Sequence, residues 1–290
     1  MATPDGKKSE AFTLVELLVV MAVIALLLTL VMPTLSAAKD QARQVVCSSN
    51  ARQLALANMG YATENNDRYV LAAADLLDTC GGFERWHGRR DNPDQPFDPL
   101  RGPLVHYLGD GRVKQCPQRV DFLRDQEWDQ NFEQGCGGYG YNMIYLGSQL
   151  WRFRLTAAMS RDQMINAERL AYSRSSRWTE PAHPSETLMF ADTALAVLDQ
   201  NSQPRYIEYS FAEPPFQLDN GEPRDGCYLS PSIHFRHRGR AVVAWADAHV
   251  STELPAPYPE DNQENIYGVN SADALLGWFA PLNNDPFDLD

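Results

Sequence analysis

The first apolar run constrains this chain more than any other feature. From Phe12 to Met32 it reads FTLVELLVVMAVIALLLTLVM, 21 residues of which only Thr13, Glu16 and Thr29 are not apolar. At ~1.5 Å per residue a helix of this stretch extends about 31 Å, the thickness of a bilayer's hydrocarbon core. No second run of this length follows, so the sequence predicts a single membrane crossing. Lys7 and Lys8 precede the run, and Lys39 is the next basic residue. The closeness of the lysine pair keeps the short N-terminal arm in the cytoplasm and sends the rest across.

Three simple kinds of segment share this outline. A lipoprotein leader needs a cysteine directly after the apolar run, whereas the first cysteine is Cys47. A secretory signal peptide has an apolar core of about 7–15 residues and a small-x-small cut site. Ser36, Ala37 and Ala38 imitate that site, but the core here is longer and contains Glu16. A plain signal anchor leaves Glu16 unexplained, because a carboxylate at the centre of a membrane segment costs ~2.5–3.5 kcal/mol, less toward an end.

Ala11-Phe12-Thr13-Leu14-Val15-Glu16 ahead of the apolar run resembles the cleavage and methylation segment of type IV prepilins. The resemblance implies a prepilin peptidase cutting between Ala11 and Phe12 on the cytoplasmic face, with Ala11 where the family usually has glycine. It implies N-methylation of Phe12, a role for Glu16 in assembly with other pilin or pseudopilin subunits, and a helix bend at Pro33. Residues 1–11 are then a leader, 12–32 the membrane-spanning part of an N-terminal helix, 33–62 its amphipathic continuation, and 63–290 an exported head. The implied location is a single pass through the inner membrane with the head in the periplasm, and from there a surface filament.

Past the membrane, Ala38, Ala42, Val46, Leu54, Ala57 and Tyr61 recur at near-helical spacing, with Asn50 as the gap. Glu64-Asn65-Asn66-Asp67 reads as the helix stop. The head alternates Pro- and Gly-rich stretches with short strand-like runs, namely Glu186–Ala191, Tyr206–Phe211, His234–Arg236 and Ala241–Trp245. The last is apolar on both alternating faces and is predicted to be central in a sheet. A long helix followed by mainly antiparallel strands gives an α+β class.

A second resemblance is to large prepilin-type proteins with a C-terminal H-x9-DG motif. His237 and Asp247 carry the spacing, with Ala248 in place of glycine, where a positive φ would strain an alanine. Cys47-Ser-Ser-Asn50-Ala-Arg-Gln53-Leu, Cys116-Pro117, Tyr139-Gly-Tyr-Asn142 and Phe190-Ala-Asp192 follow the same family's order. The resemblance names a class of exported pilin-like proteins and implies no particular activity.

His234, His237, Asp247 and His249 are metal-ligand types. Strand alternation places His234 and His237 on opposite faces, however, so the segment reads as structural. The expectation is a 234–250 hairpin turning at Arg238-Gly239-Arg240, with His237 and Asp247 hydrogen-bonded to each other or to the turn backbone, and no metal. Gly135-Cys-Gly137-Gly-Tyr-Gly140 matches G-x-G-x-x-G, but polar residues precede it and it reads as a loop. No metalloprotease, serine-hydrolase, P-loop or C-x-x-C motif occurs, so no enzyme activity is predicted.

Subtracting 38 acidic from 25 basic side chains gives a net charge of −13, a poor match to nucleic acid. Asp261, Asn262, Glu264, Asn265, Asn283, Asn284, Asp285, Asp288 and Asp290 offer oxygen ligands suited to calcium, which related secretion pseudopilins hold in a C-terminal loop. Ile266 breaks the EF-hand pattern, and no other cofactor is called for. Cys47, Cys80, Cys116, Cys136 and Cys227 cannot all pair; an oxidising compartment leads to the expectation of at least one bridge, including Cys116. Two function classes fit: a pilin or pseudopilin subunit of a type IV pilus or type II secretion-like filament, and a membrane-anchored binding protein whose head recognises a polymer or ligand without forming filaments.

Overall fold

The computed structural model describes residues 14–77, 82–118, 120, 122, 133–156, 158–199, 201–259 and 264–290. The leader, the expected cut between Ala11 and Phe12, Cys80, Asp261 and Asn262 lie outside these residues. The chain divides into two compact units, residues 1–42 and 43–290.

Helix α1 runs from Leu14 to Glu64 and continues through Pro33. In its first part the large apolar side chains from Leu14 to Leu35 are exposed on every side. The Thr29 and Thr34 hydroxyls donate to the carbonyls of Leu26 (2.7 Å) and Val31 (2.8 Å), so neither needs water. Among the described residues this is one helix long and apolar enough to cross a membrane.

From Arg43 onward α1 belongs to the head, whose compact unit begins inside the helix. Its buried face is Cys47, Asn50, Ala51, Leu54, Ala55, Ala57, Asn58 and Ala62. The expected stripe is therefore displaced: Val46 is exposed, Cys47 takes its place, and Asn50 is buried rather than a gap. Polar side chains fit this face because the head supplies partners, such as the Val70 N–H that donates to Asn58 Oδ1 at 2.8 Å. The helix closes at Asn66 (φ 54) and Asp67 (φ 61), with the Asp67 N–H on the Ala62 carbonyl at 3.0 Å. Asn and Asp tolerate this left-handed conformation better than most residues.

The head continues with β1 (Glu84–Arg85), β2 (Gly88–Arg89), β3 (Tyr139–Tyr141), α2 (Arg161–Tyr172), β4 (Leu188–Asp192), β5 (Leu195–Leu198) and β6 (Pro204–Ile207). It ends with β7 (Phe216–Asp219), β8 (Glu222–Tyr228), β9 (Ile233–His234), β10 (Ala241–Trp245), β11 (Val250–Glu253) and β12 (Leu276–Gly277). The main sheet is antiparallel in the order β11-β10-β4-β3, and the other strands form two-stranded pairs. The fold is α+β. β10 is central, as its doubly apolar sequence predicts, and β4 beside it is buried at every residue. Tyr141 stacks on Phe190 at 4.9 Å, and Trp86 packs on Phe190 at 5.0 Å.

The hairpin expected over 234–250 forms differently. β9 pairs with β12, not β10. The turn survives: His237 and Arg240 exchange backbone hydrogen bonds across Arg238 (φ 58) and Gly239 (φ 79), a tight turn with both central residues left-handed. The strand expected from Tyr206 to Phe211 ends at Ile207, after which Ser210 and Ala212 bond to Tyr141 and cover the β3 edge. α2 went unpredicted although Ser160 and Gln163 form a capping box at its start, a signal readable as S-x-x-Q.

Candidate functional site

Glu16 lies in the first turn of α1, exposed among the apolar side chains around it. Pro33 lies within the same helix. These two residues and the surrounding apolar surface are the described part of the N-terminal segment for which the sequence raises the expectation of assembly.

A second feature is buried in the head, where four segments distant in sequence meet. Cys47 comes from α1, Cys116 from the loop ahead of Pro117, Asp192 from the end of β4, and His237 from the tight turn before β10. The Cys47 thiol donates to Asp192 Oδ1 at 3.2 Å and accepts from the Tyr139 hydroxyl at 3.3 Å. His237 Nε2 lies 3.2 Å from Asp192 Oδ2 and 3.5 Å from Cys116 Sγ. The Val242 N–H donates to Asp192 Oδ2 at 2.8 Å, so one carboxylate ties α1, β4, β10 and the turn together. None of the four side chains is more than 4 % exposed.

Charge explains why a carboxylate tolerates this place. Burial alone would raise the Asp192 carboxyl, but the Arg236 guanidinium and His237 outweigh it and hold it low. Arg236 Nε is 4.0 Å from Asp192 Oδ1, and the same guanidinium donates to the Thr193 carbonyl. Burial pushes the Cys47 thiol up; its hydrogen bond to Cys116 lowers the Cys116 thiol to about 6, against burial. Burial would lower His237, yet the hydrogen bond to Asp192 prevails and raises it to about 9.

Of the two arrangements expected for His237 and Asp247, the bond to each other is not formed; Asp247 bonds to the backbone of its own turn instead. They stand at opposite ends of β10, so the nine residues between them measure the strand and its turns. Asp247 is exposed and accepts from the His249 N–H at 3.0 Å, with His249 Nδ1 at 2.6 Å. It shapes the turn to β11, in which Ala248 adopts φ 66, a left-handed conformation that suits glycine better than alanine. Asn142 sits elsewhere in the core: its Nδ2 donates to Leu188 O (3.0 Å) and Phe287 O (2.6 Å), and its Oδ1 accepts from the Tyr145 N–H. All its bonding capacity but one acceptor position is in use. His234 stacks on Tyr206 at 4.8 Å, and His249 on Trp245.

Cys47, Cys116, Cys136 and Cys227 are free thiols, so the expected bridge through Cys116 is not formed among the described residues. Among the described residues of the oxygen-rich tail, two of the asparagines serve loop backbone. Asn265 Oδ1 accepts from Tyr267 and Val269, and Asn284 Oδ1 from Phe216; both amides cap loops. Asp285, Asp288 and Asp290 line one side of a cleft of about 570 Å³ with Trp245, His249 and Glu253.

Sequence reading missed a second buried charge network. The Arg85 guanidinium donates to both Glu133 oxygens at 2.8–2.9 Å, and Ser210 Oγ donates to Oε2 at 2.6 Å. Burial would raise Glu133, but Arg85 outweighs it and holds the carboxyl at about 2. His87 Nε2, 3.8 Å from Glu133, is fully buried, which lowers its pKa and keeps it neutral.

The family model described as the prokaryotic N-terminal methylation motif matches residues 6–32. The N-terminal segment is thus prepilin-like, and with the long apolar helix it is consistent with a membrane anchor. No curated protein and no solved structure matches the chain.

Proposed function

We propose that the chain is a pilin or pseudopilin that a prepilin peptidase cuts between Ala11 and Phe12 and that packs its N-terminal helix into a filament of a type IV pilus or type II secretion-like system. The observation that carries this reading is the methylation motif over residues 6–32, which runs into the exposed apolar stretch of α1. Cleavage would create a positive amine on Phe12, and Glu16 of a neighbouring subunit would neutralise it as helices stack. A carboxylate in lipid costs ~2.5–3.5 kcal/mol at the centre of a span and less toward an end, so pairing across subunits gives each one a reason to dock in register. The head faces the periplasm, and the protein has no catalytic role in this reading.

Glu16→Gln tests it. Membrane insertion, cleavage and the folded head should be unchanged, while cross-linking to partner subunits falls roughly tenfold or more, the equivalent of ~1.4 kcal/mol. Normal co-assembly of the variant would end the assembly role. The cleft beside Trp245 and His249 favours a second reading, an anchored binding protein that forms no filaments, because its volume is that of a small-ligand site. Imaging of sheared surface material for filaments containing the chain separates the two.

A further inference from the structure

We propose that Cys47, Cys116, Asp192 and His237 form a closed, four-ligand structural zinc site in the head. This proposal is independent of whether the protein assembles into filaments. The four ligand atoms lie within 4.8 Å of one another, the one such group among the described residues. Two sulfurs, an imidazole nitrogen and a carboxylate oxygen are the donor types that zinc takes.

The distances fit a common centre. Tetrahedral ligands on zinc's usual ~2.0–2.3 Å bonds stand about 3.3–3.8 Å apart. Cys116 Sγ and His237 Nε2 are 3.5 Å apart, Cys47 Sγ is 3.2 Å from Asp192 Oδ1 and His237 Nε2 is 3.2 Å from Asp192 Oδ2, and with one carboxylate oxygen as ligand all four atoms stay within 4.8 Å, so a shift of about 1 Å gathers them on one ion.

The surrounding charge fits as well. Two thiolates and one carboxylate about a divalent ion leave one negative charge in a dry interior, where an uncancelled charge is costly. Arg236 supplies the cancelling charge. It is 6 % exposed, its Nε is 4.0 Å from Asp192 Oδ1, and its Nε and Nη1 have no hydrogen-bond acceptor among the described residues. Outer contacts that orient ligands are in place too: Val242 N–H on Asp192 Oδ2 and the Tyr139 hydroxyl on Cys47 Sγ. Four protein ligands leave no open position, so the site would hold the fold together rather than catalyse. It would join α1 and the Cys116 loop to the end of β4 and the turn before β10, two segments that the β4–β10 pairing already brings together.

The test uses the full chain, purified in detergent with reductant and without added chelator. About one zinc per chain is expected by elemental analysis. Cobalt exchanged into the site should give the visible bands of a tetrahedral ion and the near-ultraviolet charge transfer of thiolate ligands. His237→Gln and Cys116→Ser should lose the metal, whereas Cys227→Ser, a half-buried thiol outside the cluster, should keep it. The zinc and cobalt readings on the unaltered chain decide the matter even if the ligand variants fail to fold. A folded chain with reduced thiols and no zinc would overturn the proposal. A Cys47–Cys116 disulfide in the untreated protein, lighter by two hydrogens and recovered as a bridged peptide, would overturn it equally.

Discussion

Two stretches of one helix, residues 14–35 and 47–62, solve opposite problems. The first is apolar on all sides, with every large side chain exposed and its threonine hydroxyls satisfied by its own carbonyls. It needs an apolar environment and almost nothing else from the chain. The second buries Cys47, Asn50 and Asn58, which an isolated helix could not do. It needs partners as distant as Asp192, 145 residues along the chain. Secondary structure is common to both; what differs is where the missing surface or hydrogen bond is supplied.

The largest test of this contrast removes the first stretch. A chain beginning at Arg43 keeps the whole compact head unit. It should be soluble without detergent and melt in one cooperative transition, whereas the full chain should require detergent or membrane. Each buried Leu, Ile, Val or Met side chain contributes ~1.5–3 kcal/mol, so the exposed run of α1 dominates partitioning. Loss of the cooperative melt on truncation would mean that the head depends on residues before Arg43 and would break the comparison.

A smaller effect probes charge inside the head. Glu133→Gln leaves Arg85 buried without its carboxylate and should cost about 3–5 kcal/mol, read as a lowered melting temperature. The pH dependence has a definite sign. Glu133 is held at about 2 against an ordinary 4.5, so its stabilisation is complete above 4.5 and is lost as pH falls toward 2. His87 is depressed below 6.5, so the unfolded chain takes up its proton first and stability also falls as pH drops through that value. Melts recorded from pH 7 downward should show both losses in the unaltered head. The variant should lack the lower one, and an identical acid profile in both would refute the assignment.

How much of this was readable in advance follows the same division. The membrane run, Glu16 and the stop at Asn65-Asn66-Asp67 are local, and a window of a few residues contains their physics. β10 was legible because five apolar residues in succession suit only a strand buried on both faces. The buried cluster was not, because Cys47, Cys116, Asp192 and His237 come from segments with no common spacing. Their motifs stand separately in the sequence, each weak alone, and the H-x9-D spacing ties His237 to Asp247 or the turn backbone rather than to Asp192. The Arg85–Glu133 pair had no signal at all, since an arginine and a glutamate 48 residues apart look like any two surface charges.

The smallest effect concerns the turn in which an alanine holds a left-handed conformation. Ala246 and Ala248 flank Asp247 and are almost equally buried, at 2 % and 4 % exposed. Only Ala248 has a positive φ, at 66°. Replacing either by glycine removes a buried methyl group, worth ~0.8 kcal/mol, and loosens the unfolded chain by ~0.4–1 kcal/mol. At Ala246 both changes destabilise. At Ala248 they are offset by release of the ~1–2 kcal/mol that a side chain incurs in the left-handed region. Ala248→Gly should therefore be near neutral, and more stable than Ala246→Gly by about 1–2 kcal/mol. Equal losses in the two variants, by denaturant melts of the same protein, would show that the turn bears no such strain and that alanine suits it as well as glycine.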